Sequence, residues 1–204
     1  SAAANRQQEY WRSGKVLRSL SRKKPLDGFR IALEPGHIGG KYSEIEGRHF
    51  VIGEALPVKE GNQALMVGKL LVKRLQVLGA NVSLVRGSAK PVTGERPKTL
   101  RKEAEIWQGQ IDGSNPLGRT KKETRKLIRR RSEILFFRTS EIMERARKVN
   151  DQVKPDLVVC LHLNAARWPD PNKPELVDEN HYHVLTNGAY MGGEVALDNQ
   201  RFEM

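Results

Sequence analysis

The chain has 204 residues, 38% hydrophobic and 29% charged, and its 36 Lys plus Arg outweigh 24 Asp plus Glu to leave a net charge of +12. That length suits one ordinary domain with its own core, the composition argues against wholesale disorder, and no run approaches the roughly 20 apolar residues that span a bilayer. The positive balance favours polyanionic partners, nucleic acid and an anionic cell surface alike, without choosing between them.

Residues 1–28 read as an N-terminal helical extension. Ser1-Ala2-Ala3-Ala4 lacks the basic and apolar regions of a secretory signal, so export is absent or a signal has been removed upstream. Tyr10, Trp11, Val16, Leu17 and Leu20 fit an amphipathic helix from Asn5 to Ser21, ended by Arg22-Lys23-Lys24-Pro25. A first strand is expected over Phe29–Leu33, followed by a polar loop through Gly36, Gly39, Gly40 and Gly47. Ala64, Val67, Leu71, Leu75 and Leu78 predict a helix from Asn62 to Leu78 with Gly79 as its stop, and Asn81–Val85 predicts the second strand. Strand, helix and strand with short connections imply a βαβ unit with parallel pairing.

Periodicity then vanishes from Gly87 to about Asn115, which predicts a surface loop. With the basic residues that follow, 87–131 reads as a long basic insertion after the second strand, placed to cover a cleft at that sheet edge. Lys121 to Val153 predicts a helix. It opens on a basic face and carries Ile134, Leu135, Ile142, Met143, Ala146 and Val149 as its core stripe. The nearly continuous apolar run Leu157–Leu163 predicts a central strand covered on both faces, with Cys160 a buried, inert thiol. His181–Leu185 is a candidate fourth strand, and Glu194–Met204 reads as the start of a helix whose remainder is missing. The expected fold class is α/β: three layers, a mostly parallel central sheet and helices on both faces, forming a single domain over 1–204.

Chemistry concentrates at two strand ends. His37 follows the first strand and His162 closes the last, and loops at such an edge converge on a shared crevice. A hydrolytic zinc site uses three protein ligands and leaves a fourth position open, and with one cysteine a sulfur-rich site is excluded. Two histidines and a carboxylate remain. Glu60, directly before the helix, is the best third ligand, with Glu44, Glu46 and Glu54 as rivals.

Taken in order, these segments resemble a known family. Ile31-Ala32-Leu33-Glu34-Pro35-Gly36-His37 with Gly39-Gly40 comes first, then Glu60 before a helix that leads to Gly79-Ala80-Asn81-Val82-Ser83-Leu84-Val85-Arg86. Arg138 before a helix ending in Asn150 and Asp156-Leu157-Val158-Val159-Cys160-Leu161-His162-Leu163-Asn164 complete the pattern. Over about residues 29–166, interrupted by the insertion, the chain looks like the zinc-dependent N-acetylmuramoyl-L-alanine amidases of the amidase_3 type.

The resemblance implies His37, Glu60 and His162 as Zn2+ ligands and cleavage of the amide between N-acetylmuramic acid and L-alanine in peptidoglycan. It also implies a secreted or periplasmic setting. The family's catalytic glutamate lies on a later strand, so no general base is assigned within 1–204 and one is expected beyond Met204. Glu34 stands where the family usually has aspartate, so its contacts must be re-aimed by one methylene.

Asn164 and Trp168 are candidate substrate contacts, Asn164 equally a strand-end cap, and Trp107 is a weaker candidate for stacking on sugar rings. His49, His181 and His183 are read as surface or structural histidines. Two other functions compete with the amidase. One is a noncatalytic or regulatory peptidoglycan-binding module on the same fold. The other is a basic nucleic-acid-binding protein, disfavoured because no recognised nucleic-acid motif is present. Anionic cell-surface polymers remain candidate partners of the basic helix.

Overall fold

The computed structural model describes residues 15, 18–114, 118–163, 170, 172–173 and 182–184. The chain divides into two units, Ser1–Asn164 and Ala165–Met204. All elements below belong to the first. The expected helices over 5–21 and 194–204 lie, almost or wholly, outside the described residues. Of the expected fourth strand, 182–184 is described and is not in a strand.

β1 (Arg30–Pro35) is the central strand, flanked in parallel by β4 (Asn81–Leu84) and β5 (Leu157–Leu161) in the order β4-β1-β5. Ile31 stands opposite Val82 on one side and Leu157 on the other, so the three strands end at one edge. Asp156 locks that register, its carboxylate accepting from the Arg30 amide at 2.8 Å. Between β1 and β4 the chain forms a short helix α1 (Tyr42–Glu46), a small antiparallel ribbon of β2 (His49–Phe50) and β3 (Val58–Lys59), and the long helix α2 (Glu60–Val77).

Alternation along β1 assigns its two faces. Ile31 and Leu33 point into a core with Leu71, Val72 and Leu75 of α2, and Ala80 closes it. Glu34 points the other way, toward the helices that precede β5. A second cluster there joins Ile38, Leu100 and Phe136. Helices on both faces of a parallel sheet make this an α/β fold, as the strand and helix periodicities predict.

Three expectations need correction. Arg101–Ser114 is a helix, α3, not a loop. Leu100, just before it, and Ala104 and Gln108 within it are buried at four-residue spacing, but the polar Gln108 and the glycines at 109 and 113 hide the stripe from a periodicity reading.

The helix over 121–153 forms, but its core stripe is different. It runs as α4 (Lys121–Ile134), a π-helical stretch Leu135–Ser140, α5 (Glu141–Arg147) and a second π stretch Lys148–Val153. A π turn holds extra residues, so each stretch rotates the inward face relative to a 3.6-residue count. Phe136, Glu141 and Arg145 are buried, whereas Ile142, Met143 and Ala146 are exposed.

The third correction concerns β5, which among the described residues pairs only with β1 and is an edge strand. Leu157 and Val158 are exposed, and Cys160 is exposed too. Partial burial, and second the charge of Glu34, push the Cys160 thiol up from its ordinary value, so it remains protonated at neutral pH.

Candidate metal centre

Three elements bring the ligands to one point. His37 sits two residues past the end of β1 in a left-handed conformation (φ 57°), which turns its ring back across the sheet edge. Glu60 is the first residue of α2, where the helix dipole favours a carboxylate. His162 follows directly on β5, and the Gly36 amide donates to Leu161 O at 2.9 Å, holding the two strand ends together.

A Glu60 carboxylate oxygen, Oε1, lies 3.3 Å from His37 Nε2 and 3.5 Å from His162 Nδ1, and the three ligand atoms all fall within 4.8 Å of one another. Four donors placed tetrahedrally at zinc–nitrogen and zinc–oxygen lengths near 2.0–2.1 Å stand about 3.3 Å apart, so the measured separations suit a shared small divalent ion. Two imidazoles and one carboxylate are also the donor types such an ion takes. His37, Glu60 and His162 thus form a group able to hold a metal ion, and no other such group occurs among the described residues.

The site is walled on one side and open on the other. His37 and Glu60 side chains are 17% and 13% exposed, whereas His162 is 50% exposed. The free side faces a cleft of about 690 Å³, whose walls include Phe137, Ile142, Ala146 and Cys160. Ile142, Ala146 and Val149 of the expected core stripe therefore line this cleft. None of its lining residues comes from 87–131.

Surrounding groups fix each ligand. Glu46, a rival for the third ligand, stands behind His37 instead: its Oε1 is 3.6 Å from Nδ1 and its Oε2 accepts from the Ile38 amide at 2.7 Å. A carboxylate on the far nitrogen holds the ring and raises its basicity toward a metal. Glu60 Oε1 accepts from the Leu163 amide at 3.1 Å, and Arg48 lies 3.8 Å from its other oxygen. Glu44 pairs with Lys59 at 3.4 Å, and Glu54 is exposed; neither joins the group.

Two glycines are required by close approach. A Cβ on Gly36 would collide with the His162 imidazole, and one on Gly61 with the Ile38 carbonyl.

Beneath the ligands lie two buried arginines that a sequence reading misses. Arg86 donates to Pro35 O, Gly36 O and, at 2.7 Å, Gly61 O, tying the end of β1 to the start of α2. Burial, and second the repulsion of Arg145, push its pKa down to about 10, so it stays a cation at neutral pH. Arg145 donates to Pro35 O at 3.1 Å and to His37 O at 2.8 Å, and it ion-pairs with Glu34 and Glu141. Glu34 thus engages the long helix. Glu141 in turn accepts from the amides of Val92 and Thr93 at 2.9 Å. The only trace of this network in the sequence is the four-residue spacing of Glu141 and Arg145.

Arg138, the helix arginine of the family pattern, is exposed and stacks near Phe137. Asn150 is exposed and lines the cleft. Asn164, Trp168 and His181 lie outside the described residues. His49 and His183 are exposed. Trp107 is exposed and has the Arg131 guanidinium over one face of its ring. Set against protein-family models, curated proteins and solved structures, the chain has no significant match in any of the three.

Proposed function

We propose that this chain is a zinc-dependent amide hydrolase of the cell envelope, cutting between N-acetylmuramic acid and L-alanine in peptidoglycan. The observation that carries the reading is the convergence of His37 and His162 on one oxygen of Glu60, at 3.3 and 3.5 Å, from three separate elements. The ordered resemblance of the surrounding segments to the amidase_3 type supplies the substrate. Zinc suits the donor set of two nitrogens and one oxygen.

An ion held by His37, Glu60 and His162 supplies Lewis acidity and lowers the pKa of a water toward about 7. The remaining work belongs to the chain. Glu46 keeps the His37 ring oriented, the Leu163 amide keeps Glu60 turned toward both imidazoles, and the half-exposed His162 marks the side from which a substrate carbonyl enters. Phe137, Ile142 and Ala146 give the cleft an apolar wall that limits water around a bound amide.

A second reading, a peptidoglycan-binding module without turnover, is favoured by one specific observation. The three carboxylates that line the cleft beside the ligands are all engaged: Glu34 by Arg145, Glu46 by Ile38 and His37, and Glu141 by Val92, Thr93 and Arg145. Among the described residues that line the cleft, none of these three is free to shuttle a proton.

Elemental analysis of the purified protein tests the metal, and release of stem peptides from muropeptides tests the reaction. A single equivalent of zinc, lost in His37→Ala, supports the site; wild type free of metal at neutral pH overturns it. Zinc without peptide release, in a longer chain that carries the glutamate expected beyond Met204, moves the assignment to the binding module.

A further inference from the structure

The densest positive charge on the chain is not at the metal centre. From Arg119 to Arg131 eight basic residues stand against one acid, Glu123, whose carboxylate is taken up in a capping box with Thr120 at the start of α4. Lys122, Arg125, Lys126 and Arg129 are all exposed and fall at i, i+3, i+4 and i+7, so they share one face of α4 over about 10 Å of axis. Among the described residues, Lys122, Arg125 and Lys126 pair with no acid. Like charges at this spacing repel and weaken the helix that carries them. The face gives no packing in return, so its use is external.

At its C-terminal end the stripe opens into a groove of about 590 Å³ between α1 and α4. Lys41, Arg96, Arg129 and Arg130 line it, with Glu44 and Glu133 as the acids present. Glu133, 3.1 Å from Arg129 and 3.5 Å from Arg130, offsets part of their charge, and Glu44 pairs with Lys59, so the groove keeps a cationic excess. Stripe and groove form one continuous cationic track.

We propose that this track binds a flexible linear polyanion with closely spaced phosphates and no bases, of the polyol-phosphate kind. Such a chain needs only a row of cations that follows its backbone. Base-reading or single-strand-specific binding of a nucleic acid would call for more. Tyr42, the aromatic of the groove, has Lys41 and Arg96 over its ring and Phe136 beside it, so it offers no free face for base stacking. The exposed face of α4 holds no Asn or Gln to read an adenine edge. The inference stands apart from the metal reading, since none of these residues touches His37, Glu60 or His162.

The test is equilibrium binding of fluorescently labelled inorganic polyphosphate to the whole chain at about 50 and about 200 mM salt. Wild type is expected to bind with a log–log salt slope near −3, from about 0.7 per phosphate over four contacts. Lys122→Ala/Arg125→Ala/Lys126→Ala/Arg129→Ala should lose at least about tenfold in affinity and most of the slope. Alanine is the best helix former, so α4 survives the change, and circular dichroism verifies it. A control with equal charge removed elsewhere, Lys69→Ala/Lys73→Ala/Arg74→Ala/Lys90→Ala, should lose less than about threefold. Equal losses in the two variants would reduce the effect to net charge and overturn the proposal. Single- or double-stranded DNA of matched charge binding more tightly than polyphosphate would overturn it in favour of a nucleic acid. His37→Ala should bind polyphosphate like wild type, which separates failure here from failure of the metal site.

Discussion

Arg145 reaches from the long helix to the backbone of His37, donating to its carbonyl at 2.8 Å while ion-paired with Glu34 and Glu141. One side chain thus joins the strand that delivers the first candidate ligand to the helix that walls the cleft. It also holds His37 in a left-handed conformation that a β-carbon resists.

Arg145→Ala leaves two carboxylates buried beside each other without their cation, and breaking a buried pair in this way costs about 3–5 kcal/mol. Arg145→Lys restores the charge but not the planar fork that meets Glu34, Glu141 and His37 O together, so it should recover only part of the loss. Urea unfolding checks both variants. A shift of less than about 1 kcal/mol in Arg145→Ala would mean that the network adds no more than exposed ion pairs do.

Much of the metal centre is legible in the sequence, and the reason is geometric. In a parallel sheet, residues that follow strand ends share an edge, so His37 after β1, Glu60 at the start of α2 and His162 after β5 are placed by topology before any side chain is considered. The helix over 121–153 defeats the same logic. Its π stretches break the 3.6-residue count, and its inward positions hold Glu141 and Arg145, which no hydrophobic pattern marks. β5 is misread for a related reason. An apolar run records what a strand can be buried against, not how many neighbours cover it, and only β1 lies beside it among the described residues.

Glu46→Gln tests whether the carboxylate behind His37 acts on the metal. The amide keeps the shape but loses the charge 3.6 Å from Nδ1. Such outer carboxylates are worth about 10–100-fold in metal affinity, so competition with a chromophoric chelator should show a loss in that range. The thermal unfolding of the metal-stripped protein should change little. Unchanged zinc affinity would remove Glu46 from the centre.

Gly36→Ala and Gly47→Ala make a matched pair. At Gly36 the new methyl would collide with the His162 imidazole, whereas at Gly47 nothing lies within 4 Å and only the positive φ of 68° opposes the change. Gly36→Ala should therefore displace one ligand, costing about 1–3 kcal/mol by overpacking, and should abolish stoichiometric zinc binding. Gly47→Ala should lose some stability and keep its metal. If both bind zinc alike, His162 is not a ligand in the position described.

The start of α4 carries a pH dependence whose sign follows from its cap. Glu123 is held below its ordinary value of 4.5, first by the Thr120 amide and second by the Thr120 hydroxyl. A carboxylate depressed in the folded state contributes stability that is present above its unfolded pKa and is lost as the pH falls through the folded one. Amide exchange in the first turn of α4 should accordingly quicken as the pH drops below 4.5, after correction for the intrinsic rate. Glu123→Gln, whose amide oxygen keeps the box but carries no titrating charge, should show no such step. Because the cap precedes Lys122, Arg125 and Lys126, fraying there should also weaken polyphosphate binding over the same acid range. A binding curve that stays flat while exchange quickens would show that the track does not require a formed first turn.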